Sequence, residues 1–306
     1  MSDAEFVVVA PEVAETLAAG GAVVALETTL VTHGLPHPDG VEAAYDLESE
    51  VRRGGAVPAT IGLLDGKIRV GLTNLELERL ATCGDAAKVN PGNLAARLAS
   101  GRPGSTTVGA TIWMAERAGI RVMATGGIGG VHRGVAETGD VSPDLQALAR
   151  HAVAVVCAGA KAILDLPRTV EMLETLGVPV LGLKTDEFPA FYRRQSGLPV
   201  DARYETIAEV AAAVLAHVAL GGRGVLVTNP IPAAAELPAD VYEPALSRAL
   251  YDAGRSVHGR EVTPFLLDRL RVLTDGRSVT ANLALLLHNA RVGAELAVAI
   301  ARRGRP

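Results

Sequence analysis

Lys161 is the residue of this chain whose setting most favours covalent chemistry. It is the only charged residue in the run from Ala152 to Leu164, and small residues separate it from the end of a predicted strand. Burial disfavours the charged ammonium form and lowers the pKa of a lysine, and a neutral amine attacks carbonyl groups to form an imine. The run therefore indicates a nucleophilic lysine. The alternative is a lysine at a strand-to-helix turn that extends its amine to water.

A glycine-rich segment, from Ala124 to Gly134, predicts a binding site for a phosphate or sugar phosphate. It follows a predicted strand and has five glycines in eleven residues, so backbone N–H groups can converge on an anion. The side chains of Thr125, His132 and Arg133 offer further donors. The spacing matches neither the dinucleotide fingerprint nor the Walker A loop. A flexible loop without a ligand is the alternative.

Three carboxylates stand at the ends of predicted elements. Glu27 ends an apolar strand, where burial raises the pKa of an unpaired carboxyl and suits a general acid near neutral pH; a solvated turn is the alternative. Asp140 lies just outside a helix start, and one carboxylate plus waters is typical of a weakly held Mg²⁺ or Mn²⁺. Asp144, in the first turn of that helix, is explained by the helix dipole. The sequence has no Cys/His cluster with zinc spacing.

Two further polar positions have both a functional and a structural explanation. Lys88 is a cation in a mostly uncharged stretch, and it either binds phosphate or forms a surface ion pair. Asn282 and Asn289 are seven residues apart on the last predicted helix and so share one face. Their amides either bind the edge of a uracil-like base or satisfy backbone groups.

The elements that must position these residues alternate between short apolar runs and amphipathic stretches. Strands that are apolar throughout are typical of a sheet buried on both faces. The predicted helices are Val41–Arg53, Pro143–Arg150 with Ser142 as N-cap, and one opened by Asp165 and Pro167 that runs through Leu176 and is closed by Gly177. The predicted strands are Ala22–Leu26, Thr60–Leu64, Arg121–Ala124, Val153–Cys157, Val178–Gly182 and Gly224–Val227.

This alternation predicts an α/β fold, namely a three-layer α/β/α sandwich with a mixed, largely parallel sheet and a helical C-terminal segment. We expect a single domain over residues 1–306, and roughly the last 60 residues to be mostly helical.

Composition excludes several classes of protein. Of the 306 residues 49% are hydrophobic, and the formal net charge is -5, which excludes a disordered chain and argues against a general nucleic-acid binder. No apolar run approaches the ~18 residues of a spanning helix, and no signal peptide opens the chain. Cys83 and Cys157 are predicted to be free thiols. The expectation is a cytoplasmic protein without nucleic-acid or membrane partners.

Seven segments in this order resemble one known family from about Ala22 to Arg291. They are ALETTLVTHGLP, AAKVN, STTVGATIW, ATGGIGGVHRG, DVSPDL, VVCAGAKAILDLPRTVEMLETLGVPV and TANLALLLHNAR. The family is pseudouridine-5'-phosphate glycosidase, also called indigoidine synthase A-like. The resemblance implies that pseudouridine 5'-phosphate and water interconvert with uracil and ribose 5-phosphate. It also implies an α/β/α fold and a homotrimer.

The resemblance assigns roles residue by residue. The nucleophile falls on Lys161, the proton donor on Glu27, and the ligand of one largely water-coordinated Mn²⁺ per subunit on Asp140. Asn282 is assigned to uracil, with Asn289 as the weaker candidate. Where relatives carry alanine between the residues at 142 and 144, this chain has Pro143. The substrate contacts fall on Lys88, Val108, Thr125, His132, Ser142, Pro143, Asp144 and Asn282.

The residue chemistry suits such a reaction. A C–C glycosidic bond offers no leaving oxygen to protonate, so a pair of carboxylates of the ordinary glycosidase type is insufficient. A lysine imine at C1' of the opened ribose gives another route, with Glu27 protonating C5 of uracil and Asp144 helping to move protons during ring opening. The alternatives are a lysine-dependent sugar-phosphate aldolase and a non-catalytic sugar-phosphate binding protein.

Overall fold

The computed structural model of the protein describes residues 5–35, 37–254, 257 and 262–304. Pro36, the last residue of the segment ALETTLVTHGLP, lies outside the described residues. So do parts of the predicted C-terminal helical region. The strands are β1 (Val7–Val9), β2 (Val23–Leu26), β3 (Val57–Leu64), β4 (Lys67–Val70), β5 (Ala87–Val89), β6 (Gly104–Thr106), β7 (Val122–Ala124), β8 (Ala154–Cys157), β9 (Val180–Leu183), β10 (Ala202–Tyr204) and β11 (Val225–Thr228).

Helices connect and cover these strands. They are α1 (Pro11–Ala18), α2 (Asp39–Arg53), α3 (Asn74–Thr82), α4 (Leu94–Ala99), α5 (Val108–Arg117), α6 (Val135–Thr138), α7 (Pro143–Arg150), α8 (Leu166–Thr175), α9 (Ile207–Ala219), α10 (Ala239–Ala253), α11 (Val262–Leu273) and α12 (Arg277–Arg303). A π-helical turn spans Leu30–Gly34, and a 3₁₀ turn spans Ala233–Ala235.

The predicted α/β fold with a mixed, largely parallel sheet is confirmed. The main path of the sheet runs β1-β4-β3-β2-β7-β8-β11-β9-β10, and β6 joins β3 and β5. Pairing is parallel except where β3 meets β4 and β6. The central strands β2, β7, β8 and β11 are buried along their whole length, which explains why they are apolar without alternation, except for Thr228 at the end of β11.

The strand order reverses at β2. The chain continues from β2 to β3 on one side, whereas β7 and β8 follow on the other side of β2. Connections diverge at such a point and leave a crevice at the carboxyl ends of the strands, where α/β proteins bind ligands. The residues that directly follow β2, β7 and β8 are therefore brought to one edge of the sheet.

The helix α12 is the longest of the described helices and lies in the core. By length and composition it is apolar enough to cross a membrane. It packs instead on β2, β7 and β8, with α2 and α9 beside it. Gly293 permits a close approach, because a Cβ there would lie 3.1 Å from the Cβ of Ala124. This packing is typical of a core helix in a globular protein.

The six predicted strands are all present, with starts shifted by one to three residues and ends by at most one. Helix α7 has the predicted bounds, and Ser142 caps it by accepting a hydrogen bond from the backbone N–H of Asp144. Helix α2 begins at Asp39, two residues before the predicted start. Cys83 and Cys157 are free thiols, as predicted.

Several short elements were not predicted, and β4 shows why. It pairs with β3 across a two-residue turn at Asp65 and Gly66, which both have positive φ. Asp-Gly is a strong hairpin signal, but four residues of alternating character are too few for periodicity to distinguish a strand. Strands β1, β5, β6 and β10 have three residues each, so periodicity cannot identify them either.

Candidate active site

A cleft at the carboxyl ends of β2, β7 and β8 contains most of the predicted site residues. It has two adjoining chambers, which share Glu27, Thr29, Lys88, Lys161 and Thr263 in their walls. The larger, of about 280 Å³, we call the polar chamber; it is also lined by Asn90, His132, Asp140, Ser142, Pro143 and Asp144. The smaller, of about 60 Å³, we call the apolar chamber; it is also lined by Leu30, Thr125, Phe191, Leu267, Asn282 and Leu286.

Glu27 lies between the two chambers, directly after β2. Its Oε1 accepts a hydrogen bond from the Thr125 hydroxyl at 2.6 Å. Burial raises the pKa of the Glu27 carboxyl, while the charge of Lys161 and the hydrogen bond from Thr125 act in the opposite direction. A buried carboxyl with a raised pKa remains protonated closer to neutral pH, which is the property a general acid requires.

Lys161 lies in the connection between β8 and α8 and lines both chambers. Its backbone N–H donates to the Ile128 carbonyl at 3.0 Å, which ties it to the glycine-rich segment. Gly159 has φ +83°, and a Cβ there would lie 2.0 Å from the Pro189 carbonyl oxygen. Only glycine fits this position, so Gly159 is needed for the backbone path that brings Lys161 to the cleft.

Asp144 is buried under the polar chamber and anchors two backbone segments. Its Oδ1 accepts from the Gly109 N–H and its Oδ2 from the Gly129 N–H, both at 2.8 Å. A Cβ at Gly129 would lie 2.3 Å from the Ser142 hydroxyl oxygen. The carboxylate thus holds the glycine-rich segment tightly against the start of α7. Its predicted part in proton transfer stays a prediction.

Asp140 and His132 lie side by side on the polar chamber. The His132 N–H donates to the Asp140 carbonyl at 3.0 Å, and its Nδ1 lies 3.9 Å from the carboxylate. Burial lowers the pKa of His132, Lys88 and Lys161 add to this effect, and Asp140 opposes it.

No group of three or more potential His, Cys, Asp or Glu metal ligands occurs among the described residues. Asp140 is half-buried and faces the polar chamber. This donor set fits a hard divalent cation held by one carboxylate and water, and does not fit a zinc site.

The remaining predicted site residues divide between the cleft and the core. Lys88, in β5, lines both chambers. Thr125 and His132, which the resemblance puts on one phosphate-side loop, line different chambers. The Val108 side chain is 1% exposed and packs in the core, and its neighbour Thr107 lines the cleft instead. A contact from Val108 to substrate would have to come from its backbone at the start of α5.

The two asparagines of α12 have different surroundings. Asn282 lines the apolar chamber, and its contact with a base stays a prediction. Asn289 is fully buried, and its amide is hydrogen-bonded to Thr125 and Asn229. The seven-residue spacing indicated that the two asparagines share one face of α12. It did not indicate how deeply each side chain is buried.

Many residues of the apolar chamber were not predicted from the sequence. Phe191 adopts φ +60° in the connection after β9, and its ring lies where a Cβ at Gly127 would be 2.6 Å away. Thr263 and Leu267 come from α11. These residues have no common motif or spacing, and only the tertiary structure brings them together. The signal available for Phe191 was its rarity, since the chain has four phenylalanines.

Comparison with known proteins gives one consistent family. Residues 12–299 match the model of the family described as indigoidine synthase A like protein. A pseudouridine-5'-phosphate glycosidase of Methylobacterium nodulans is 54% identical over 95% of this chain and 87% of its own length. One from Jannaschia is 52% identical over 95% of this chain and 97% of its own length.

Solved structures show the same fold. The prealnumycin C-glycosynthase AlnA, in complex with ribulose 5-phosphate, superimposes with a TM-score of 0.91 at 40% identity and covers 98% of both chains. An indigoidine synthase A-like protein from Thermotoga maritima superimposes with a TM-score of 0.88 at 38% identity and covers 97% of both chains.

Proposed function

This chain belongs to the indigoidine synthase A-like family, and from that premise we propose that it cleaves the C–C glycosidic bond of pseudouridine 5'-phosphate. The products are uracil and ribose 5-phosphate, and the reaction is reversible. The observation that supports this most directly is the placement of Lys161 and Glu27 in the wall shared by a polar and an apolar chamber. A scissile bond between a sugar phosphate and an uncharged base needs a nucleophile and an acid at such a boundary.

The proposed reaction uses Lys161 as nucleophile. Its amine in the deprotonated form attacks C1' as the C1'–O4' bond opens, and O4' takes up the proton that the nitrogen then loses, so the nitrogen again has a lone pair. Glu27 delivers a proton to C5 of the base. The C1'–C5 bond then breaks with its electron pair going to the uracil ring, and the nitrogen lone pair forms the C1'=N imine. Water hydrolyses the imine, which releases ribose 5-phosphate and regenerates the amine.

The two chambers suit the two halves of this substrate. The polar chamber has the Lys88 and His132 side chains for the phosphate, and their binding energy orients C1' toward Lys161. The apolar chamber has Phe191 and Leu286 for the faces of a flat base and the Asn282 amide for its polar edge.

A divalent cation completes the proposal. Asp140 would hold Mn²⁺ with water as the other ligands, and His132 lies beside it. Such an ion supplies positive charge in the polar chamber when bound. Asp140, the protein ligand of this ion, lies in the same short segment as Ser142 and Asp144.

The family resemblance also supports a homotrimer that works in the cytoplasm. Sedimentation equilibrium of the purified protein tests the oligomeric state, and fractionation of the source cells tests the location.

The decisive experiment is a uracil-release assay on pseudouridine 5'-phosphate, with and without Mn²⁺, combined with borohydride reduction in the presence of ribose 5-phosphate. We expect uracil release that depends on Mn²⁺, and a reduced pentose phosphate adduct on the Lys161 peptide in the mass spectrum. Aldehyde release from deoxyribose 5-phosphate without uracil release would favour an aldolase. An unmodified Lys161 peptide would exclude the imine.

A further inference from the structure

A buried amide pair lies beneath the proton donor and has no part in the reaction described above. Asn289 on α12 is fully buried, and its Nδ2 donates to the Thr125 carbonyl at 2.8 Å and lies 3.4 Å from the Gly126 carbonyl. Its Oδ1 accepts from Asn229 Nδ2 at 2.9 Å. Asn229 directly follows β11, as Thr125 follows β7, so the pair joins two strand ends that β8 separates. Neither asparagine lines a chamber.

This pair connects to Glu27 through one residue. Both backbone polar groups of Thr125 are hydrogen-bonded. Its N–H donates to the Val156 carbonyl at 3.0 Å, and its carbonyl accepts from Asn289 Nδ2. With the backbone fixed, the Thr125 hydroxyl is directed at Glu27 Oε1, 2.6 Å away. The chain of contacts therefore runs from the core helix through Thr125 to the carboxyl that lies between the chambers.

We propose that Asn289, with Asn229, is a positioning residue that fixes the Thr125–Gly126 peptide and so sets the orientation in which Glu27 transfers its proton. The inference rests on the proposed function only in the identity of the proton acceptor, C5 of uracil. A side chain that merely filled the core would be apolar here, since a buried amide is tolerated only when its hydrogen bonds are made. Asn289 instead uses both ends of its amide to join parts of the site.

The contact has a measurable consequence for proton transfer. The hydrogen bond from Thr125 stabilises the charged form of Glu27 and lowers its pKa, as do Lys161 and Lys88, whereas Asp144 and burial raise the pKa. When the Thr125 contact is lost, the pKa of Glu27 therefore rises. Cleavage requires the protonated acid, so the rate falls as pH rises through the pKa of Glu27. This fall, the alkaline limb of the pH–rate profile, therefore moves to higher pH when the pKa rises. The other titratable groups that line the two chambers are His33, His132 and Asp140.

The test is a double-mutant cycle with Asn289→Leu and Thr125→Val, using kcat for uracil release as a function of pH. Leucine has the same number and branching of side-chain heavy atoms as asparagine, although its methyl groups are bulkier, and it cannot donate to the Thr125 carbonyl. We expect each single variant to lose roughly tenfold in kcat, since small misplacements of reacting groups are costly, and to shift the alkaline limb upward. The double variant should lose no more than Thr125→Val alone, because both act through one contact. An unmoved limb in Asn289→Leu, or losses that multiply in the double variant, would overturn the proposal.

Two controls separate this effect from general destabilisation. Thr228→Val removes another fully buried hydroxyl, one that donates to the Leu181 carbonyl at 3.3 Å and does not contact Thr125. It should leave the position of the limb unchanged. If Asn289→Leu does not fold, Asn229→Ala frees one end of the same amide and should give a smaller shift in the same direction. A wild-type position of the limb in that variant would contradict the proposal.

A second readout does not depend on turnover. In protein labelled with ¹³C-glutamate, the Glu27 carboxyl signal is identified by its loss in Glu27→Gln and titrated by NMR. We expect its midpoint to rise in Asn289→Leu; an unchanged midpoint would count against the positioning role. Absence of uracil release from the wild-type protein would count against the proposed function alone, since the titration still tests the contact.

Discussion

The two chambers of the cleft are built in different ways, although they share Glu27 and Lys161. Seven residues of the polar chamber come from two neighbouring segments, the glycine-rich loop after β7 and the start of α7 with the turn before it, and Asp144 joins them through the Gly129 N–H. The apolar chamber takes Leu30, Phe191, Leu267 and Leu286 from four distant parts of the chain. A site for a sugar phosphate needs a few well-placed polar groups, which adjacent stretches of chain can supply together. An apolar pocket needs only surfaces of suitable shape, from wherever the fold brings them.

This difference implies that substitutions of Lys161 and Glu27 in the shared wall should affect the chemical step. Substitutions of phosphate or metal contacts should affect the sugar phosphate and the metal, and those of residues lining only the apolar chamber should affect the base alone.

The largest effect is expected for Lys161→Ala in the shared wall. Loss of the nucleophile should lower kcat for cleavage by about 10⁴-fold or more, because no other group forms the bond to C1'. The measurement is steady-state uracil release. Lys88→Ala is the matched control, and it should raise KM while leaving turnover detectable. Activity of Lys161→Ala within tenfold of wild type would show that Lys161 is not the nucleophile.

The next effect is expected for Glu27→Gln, which should lower kcat by about 10²- to 10⁴-fold. Burial raises the pKa of Glu27, so wild-type cleavage should persist to higher pH than an ordinary carboxyl allows. The rate should decrease as pH rises through that pKa, since the acid form donates the proton. Glutamine does not titrate, so the residual activity should lack this limb. A limb at the same pH in the variant would assign the titration to another group.

A smaller effect is expected for Asp140→Ala in the polar chamber. Mn²⁺ affinity, measured directly by electron paramagnetic resonance, and activity should fall together, because one carboxylate is the protein ligand. Asp186→Ala is the control, since it removes an exposed carboxylate paired with Arg203. Full activity of Asp140→Ala in chelator would show that the metal assignment is wrong.

The smallest effect is expected for Leu267→Ala in the apolar chamber. Loss of this surface should raise KM for uracil about tenfold in the synthetic direction, as removal of a few methylene contacts usually does. KM for ribose 5-phosphate should not change. Leu75→Ala removes the same atoms from a side chain that is 80% exposed and should change neither constant. Equal effects on both substrates would contradict the division between the chambers.

Much of the fold followed from local patterns. The central strands were recognisable because burial on both faces leaves them apolar throughout, and α7 because Ser142 and Pro143 mark its start. The short edge elements, such as β4, were not recognisable, because three or four residues are too few to show a period. The polar chamber was also largely predictable, since His132, Asp140 and Asp144 lie close together in the sequence.

By itself, the sequence determined which residues have the chemistry for this site. Lys161 stands alone in an apolar run, and Glu27 ends a buried strand. The tertiary structure alone decided which of the two asparagines of α12 meets the cleft and which lies beneath it, because depth depends on the packing of the helix against the sheet. It also decided that the Thr125 hydroxyl bonds to Glu27, since parallel strands bring residues distant in sequence to one edge.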